Sequence, residues 1–186
     1  MAGASSGAET VPGPVRHLRV TKYDPAHREP DGRYVGPEEP VSDHGPQEAA
    51  YLQAVHQFAV DANVSDLVVR GPELGGINFG LEPHVEGYGL LGMQAADFFD
   101  GARVPLAVAV ELVRGMLRDN GLWCRLELDD AFAVHVGYDQ YMYISTRSGS
   151  ARAQAAAEAL GLFVEDISAS PYAVAAEDTA SATDDA

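Results

Sequence analysis

A mostly antiparallel α+β sheet with about three helices packed on one face is the fold this sequence predicts, on three observations. Residues 122–128 and 132–137 alternate apolar and polar side chains, as the two strands of a hairpin do. Residues 105–119 carry a single apolar stripe at helical spacing. Strand-like runs stand next to one another in the C-terminal half, while separate helices fall between the other runs. With 186 residues and 46% hydrophobic content, the chain has material for one core and is short for two.

The elements follow in order. Residues 15–23 read as a first strand with Val15, Leu18 and Val20 as its apolar members, ended by Asp24-Pro25. A long loop over 25–46 holds five prolines and the turn pair Asp31-Gly32. Over 47–62, Tyr51, Val55, Phe58, Ala59 and Ala62 recur at spacings of three and four, which predicts an amphipathic helix. Residues 66–70, with Leu67, Val68 and Val69 in succession, read as a buried strand. The stretch 71–101 has eight glycines and two prolines, so it is expected to be a loop-rich insert with short strands.

Pro105 suits the first turn of the helix over 105–119, and Asn120-Gly121 its close. After the hairpin come a third strand over 141–146, an Ala-rich helix over 150–160 stopped by Gly161, and a last strand over 162–165. Residues 1–14 and 173–186 are small and polar and cannot bury enough apolar area to offset their ordering entropy. The expected organisation is a disordered N-terminal tail (1–14), a single α+β domain (15–172) and a disordered acidic tail (173–186).

Net charge is −16, and residues 15–172 alone carry 23 acids against 12 bases. Such a chain repels a phosphate backbone or an anionic membrane, so a charged partner is expected to be basic. Cys124 is the only cysteine, which excludes an intramolecular disulfide framework. The first ten residues lack the pattern of a secretory signal, and no apolar run is long enough to span a bilayer. A cytoplasmic protein is the expectation.

The hairpin supplies the main candidate surface. With a turn at Asp129-Asp130-Ala131, Leu128 faces Phe132, Leu126 faces Val134 and Cys124 faces Val136, so every core-side pair is apolar. Arg125 then stands opposite His135 on the other face, Tyr143 beside His135, and Trp123 and Tyr141 flank the row. Trp123, Arg125, His135, Tyr141 and Tyr143 could hold an anion or a planar group by charge-assisted bonds and stacking. Alternatively, they are ordinary occupants of a half-solvated sheet. The first loop adds Lys22, Tyr23, Asp24 and Arg28, which either form part of a site or clamp the loop through an Asp24–Arg28 pair.

Other constellations are weaker. Glu82, His84 and Glu86 alternate as metal ligands on a strand would, yet Pro83 and the surrounding glycines favour a solvated loop. Cys124 and His135 point to opposite faces, which argues against a nucleophile and base pair. No nucleophile elbow, phosphate-binding loop or zinc-protease motif is present, and neither metal nor cofactor is expected.

Several phrases are distinctive together: Lys22-Tyr-Asp-Pro25 with Arg28, Trp123-Cys-Arg-Leu-Glu127, Val134-His-Val-Gly137 with Asp139 and Tyr141-Met-Tyr143, and Gly161-Leu-Phe-Val-Glu165 with Ser170-Pro-Tyr172. Over about residues 20–172 the chain resembles a family of small actinobacterial proteins with no established activity, some of which carry an RNA-binding label. It departs from that pattern around Glu39-Pro-Val-Ser42, where an aromatic is usual, and in its longer Gly-rich insert.

The leading expectation is a non-catalytic acidic protein-interaction module, an immunity- or antitoxin-type inhibitor of a basic protein or a regulatory adaptor. RNA or small-ligand binding on an open aromatic and arginine sheet face is the alternative. An enzyme with His135 as acid/base is the third.

Overall fold

The computed structural model describes residues 13–38, 41–74, 97–119, 121–137, 140–147 and 150–171. Both proposed tails, apart from residues 13 and 14, lie outside the described residues, as do most of the Gly-rich insert and the Glu82, His84, Glu86 triplet.

Among the described residues, seven strands and three α-helices follow one another as β1 (Arg16–Thr21), α1 (Gly45–Asp61), β2 (Asp66–Leu74), β3 (Arg103–Pro105), α2 (Leu106–Leu117), β4 (Leu122–Leu128), β5 (Phe132–Val136), β6 (Met142–Thr146), α3 (Ala151–Ala159) and β7 (Phe163–Ile167). The strands form one sheet in the order β3-β2-β4-β5-β6-β1-β7, and every neighbouring pair is antiparallel. This is the α+β, mostly antiparallel architecture expected from the sequence.

The three-residue β3 is absent from the sequence reading, because only Val104 of it faces the core. Pro105 accordingly caps α2 from an extended backbone instead of starting its first turn. β2 runs four residues past Arg70, the expected end, by means of an irregularity between Arg70 and Glu73, where Gly71 takes a φ of 53°. α1 begins two residues earlier than its periodicity suggests, with Gly45 at a φ of 69° and Pro46 in the first turn.

The core lies between one sheet face and the helices. Leu18 and Val20 of β1, Leu67 and Val69 of β2, Cys124 and Leu126 of β4, Val134 and Val136 of β5, and Met142 and Ile144 of β6 are all buried there. Against them pack Tyr51, Val55 and Phe58 of α1, Leu112, Val113 and Met116 of α2, and Ala153 and Ala157 of α3. Alternation places every even-numbered residue of β4, β5 and β6 toward the helices, which is the physical reason the hairpin was legible.

Polar bonds tie the helices down. Asp61, the last residue of α1, accepts a 2.9 Å hydrogen bond from the Ala153 amide and so caps the first turn of α3. The Tyr51 hydroxyl accepts a 2.8 Å bond from the Lys22 amide, joining α1 to the end of β1. Glu48 of α1 accepts bonds from Arg114 at 2.9 Å and Arg118 at 2.6 Å, locking α1 to α2 and its C-terminal cap.

Candidate functional site

The second sheet face is built from the odd-numbered residues of the central strands. Register places Glu165 of β7 beside Arg19 of β1, Arg19 beside Tyr143 of β6, and Tyr143 beside His135 of β5. The β4–β5 ladder pairs Leu126 with Val134 and Leu128 with Phe132, as expected. Extended by one residue, that register sets Arg125 opposite His135, whose imidazole feels the Arg125 charge, and Arg125 in turn pairs with Arg70 of β2. One row of side chains therefore crosses the sheet from Glu165 to Arg70.

This face is covered at its centre, which corrects the idea of an open aromatic surface. Tyr143 retains 6% of its exposure, His135 4% and Tyr141 9%, while Trp123 and Arg125 are half-buried. The cover includes the loop after β1. Tyr23 packs on Tyr34 with ring centroids 4.8 Å apart and meets Tyr141 edge-on at 5.8 Å. Arg28 and Tyr34 form an antiparallel bridge, and the Tyr34 ring folds back over Gly36, where any Cβ would overlap it.

Glu165 is the electrostatic anchor of that cover. It accepts bonds from Arg19 Nε and Nη2 at 2.9 and 3.1 Å, and from Arg28 Nη1 at 2.8 and 3.1 Å. Burial opposes the Glu165 charge, but the bonds from Arg28 and Arg19 outweigh it and hold the carboxyl below its ordinary range. Both guanidiniums lie over the Tyr141 ring, at 5.0 and 5.3 Å from its centroid. The Nε and Nη2 atoms of Arg28 are buried there without a hydrogen bond. The expected Asp24–Arg28 clamp is not formed: Asp24 accepts from the Ala26 amide at 2.8 Å, and Arg28 reaches Glu165 instead.

His135 lies between Tyr143, stacked at 5.2 Å, and Trp123, edge-on at 6.0 Å. Its Nε2 stands 3.5 Å from Ser170 Oγ, so the segment after β7 closes over it. Burial, with the Arg125 charge, pushes the imidazole pKa down to about 4, and the ring is neutral at physiological pH. Cys124 is buried on the opposite face, as expected, and burial pushes its thiol up to about 12.

Trp123 has a second role at the edge of this layer. Its indole N–H donates to the Val136 carbonyl at 2.8 Å, fixing the ring along the β4–β5 ribbon. The ring also lines a cleft of about 200 Å³ with Glu73, Met116, Asp119, Leu122 and Val136. Two turn residues of this cleft, Asp119 at a φ of 45° and Gln140 at 60°, adopt the left-handed conformation that non-glycine residues rarely take.

The structure thus gathers Tyr23, Arg28, Trp123, Arg125, His135, Tyr141 and Tyr143 into one layer over the sheet. Lys22 is buried, with its ammonium 5.0 Å from the Tyr23 ring centroid, and Asp24 serves only the turn. Tyr34 stood out in the sequence only as part of the first loop, and sequence reasoning did not offer Glu165, Arg19, Ser170, Glu73 or Asp119 as site residues. Arg19 was recoverable from its place between Leu18 and Val20, which puts it opposite the core. The others depend on chain segments meeting across long sequence separations. Among the described residues no group of three or more His, Cys, Asp or Glu side chains is placed to hold a metal ion. No described helix is long and apolar enough to cross a membrane.

The arginines share one feature. Ten of the eleven arginines stand within 3.7 Å of a carboxylate: Arg16, Arg19, Arg28, Arg33, Arg70, Arg103, Arg114, Arg118, Arg125 and Arg147. Cations are therefore neutralised locally, and the surplus charge of the chain is carboxylate.

Fold and layer together define an α+β protein whose seven-stranded antiparallel sheet carries helices on one face and, on the other, an aromatic and arginine layer covered at its centre. Comparison with protein-family models, curated proteins and solved structures returns no significant match, so geometry and charge carry the functional reading.

Proposed function

We propose that this protein is a non-catalytic binding protein whose acidic surface engages a basic protein, as an inhibitor of the immunity or antitoxin type or as a regulatory adaptor. The observation that carries the reading is the internal pairing of ten of the eleven arginines in a chain of net charge −16. A surface of that kind attracts cations at long range and offers no concentrated positive patch to a phosphate backbone. The single buried cysteine supports a reducing, cytoplasmic setting.

Burial of Tyr141 and Tyr143 weighs against base stacking on the sheet, and the pair between Arg125 and Glu127 at 3.2 Å weighs against phosphate binding there. His135, buried and neutral, is poorly placed for proton transfer to a substrate. The test is affinity capture of the tagged full chain from its own cells, with and without nuclease. A stoichiometric basic protein that survives nuclease supports the reading. RNA recovered without such a protein refutes it in favour of nucleic-acid binding.

A further inference from the structure

We propose that the cleft beside Trp123 is a receptor for the cationic end of a lysine or arginine side chain on the basic partner. The inference rests on the acidic-binder reading and adds where, and by what chemistry, one partner residue is held.

Chemistry and size fit that occupant. Met116, Leu122, Trp123 and Val136 give the cleft apolar walls, and Glu73 and Asp119 add two carboxylates. Among the described lining residues there is no Lys, Arg or His. Lysine and arginine have the complementary form, an aliphatic stem that packs on apolar surface and a charged head that seeks carboxylate. At about 200 Å³ the cleft is smaller than the roughly 300–1,000 Å³ of sites for whole small molecules. It suits one side chain.

The tryptophan is arranged in advance. Its bond to the Val136 carbonyl and the flanking His135 ring fix the indole before any partner arrives. Tryptophan gives the most favourable ring for a cation, and an immobilised ring loses less entropy on binding. Glu73 and Asp119 are both exposed, so an incoming charge reaches them from solvent and not through the core. Asp119 sits at the end of the α2 turn, held by its amide bond to the Met116 carbonyl at 3.1 Å.

Trp123 is the only tryptophan, so tryptophan emission, excited selectively over tyrosine, reports on this site alone. Butylguanidinium is the probe, with butanol and pentanoate as uncharged and anionic counterparts at matched ionic strength. The expected result is a saturable change in tryptophan emission with a dissociation constant on the order of 1 mM for butylguanidinium. Butanol and pentanoate should bind at least about tenfold more weakly. The double variant Glu73→Gln with Asp119→Asn should weaken butylguanidinium by at least about tenfold while leaving the thermal midpoint within about 2 °C.

Equal affinity for butanol would mean a merely apolar hole and overturns the proposal. So does the absence of a saturable change, or unaltered affinity in the double variant. The captured basic partner separates the two levels of inference. If it binds wild type and double variant alike, the cleft assignment fails and the acidic-binder reading stands. If butylguanidinium binds but no basic protein is captured, the acidic-binder reading fails, and a receptor for a partner side chain fails with it.

Discussion

Arg28 Nη1 bonds to both carboxylate oxygens of Glu165, at 2.8 and 3.1 Å, across 137 residues of sequence. That contact fastens the loop after β1 to the edge strand β7 and, with Arg19, seals the aromatic layer over the sheet. Glu165→Gln should therefore destabilise the protein by about 1–3 kcal/mol, because two part-buried guanidiniums lose their carboxylate. The sign with pH is fixed. The folded carboxyl holds its charge below the ordinary value of 4.5, so its contribution is complete above that pH. It is lost as pH falls through the lower folded value. Urea melts of wild type and Glu165→Gln should thus differ at neutral pH and converge in acid.

His135 gives a second pH dependence in a different window. The unfolded ring takes a proton near pH 6.5 and the buried ring only near 4. Stability is complete above about pH 6.5 and falls between 6.5 and 4, by up to about 3 kcal/mol, as the unfolded state gains the proton first. NMR titration of the ring checks the lowered value directly. His135→Phe, which keeps a flat ring on Tyr143, should flatten the stability profile in that window. An imidazole that titrates near 6.5 in the folded protein would contradict the sealed layer.

Glu48 keeps only 6% of its side-chain exposure and serves both Arg114 and Arg118. Glu48→Ala should cost about 1–3 kcal/mol, since Arg114 and Arg118 both lose their bonds to a buried carboxylate. Glu111, which pairs with Arg114 along one helix, should cost about 0.5 kcal/mol or less when replaced by Ala. Equal effects of the two substitutions in denaturant unfolding would argue against the interhelical clamp.

Cys124 faces the helices and not the arginine layer, so its thiol should be inert toward a thiol reagent in the native state and reactive after unfolding. Reaction at a rate comparable to a free thiol, without loss of structure, would place it on the wrong face. Cys124→Ala should cost less than Cys124→Ser, because serine adds a buried hydroxyl that lacks a partner.

Much of the architecture was legible because it depends on local period. The pairing of Leu126 with Val134 and of His135 with Tyr143 follows from alternation and one short turn. The helix stripes of Tyr51, Val55 and Phe58, and of Ala109, Val113 and Met116, follow from 3.6-residue spacing. β3 escaped notice because three residues carry too little pattern. The candidate layer was half legible. Trp123, Arg125, His135, Tyr141 and Tyr143 share one face by strand alternation. Their cover comes from Tyr34, Glu165 and Ser170, whose positions depend on tertiary closure that no local spacing encodes. Arg28 illustrates the difference, since a near neighbour in sequence, Asp24, was the obvious partner and a carboxylate on the far edge strand is the real one.

The claim that a basic protein is the partner is tested most directly by the salt dependence of the complex recovered from the protein's own cells. The affinity of the captured protein should fall at least about tenfold as ionic strength rises from roughly 0.05 to 0.5 M, with nuclease treatment making no difference. A complex indifferent to salt, or one lost on nuclease treatment, would contradict it.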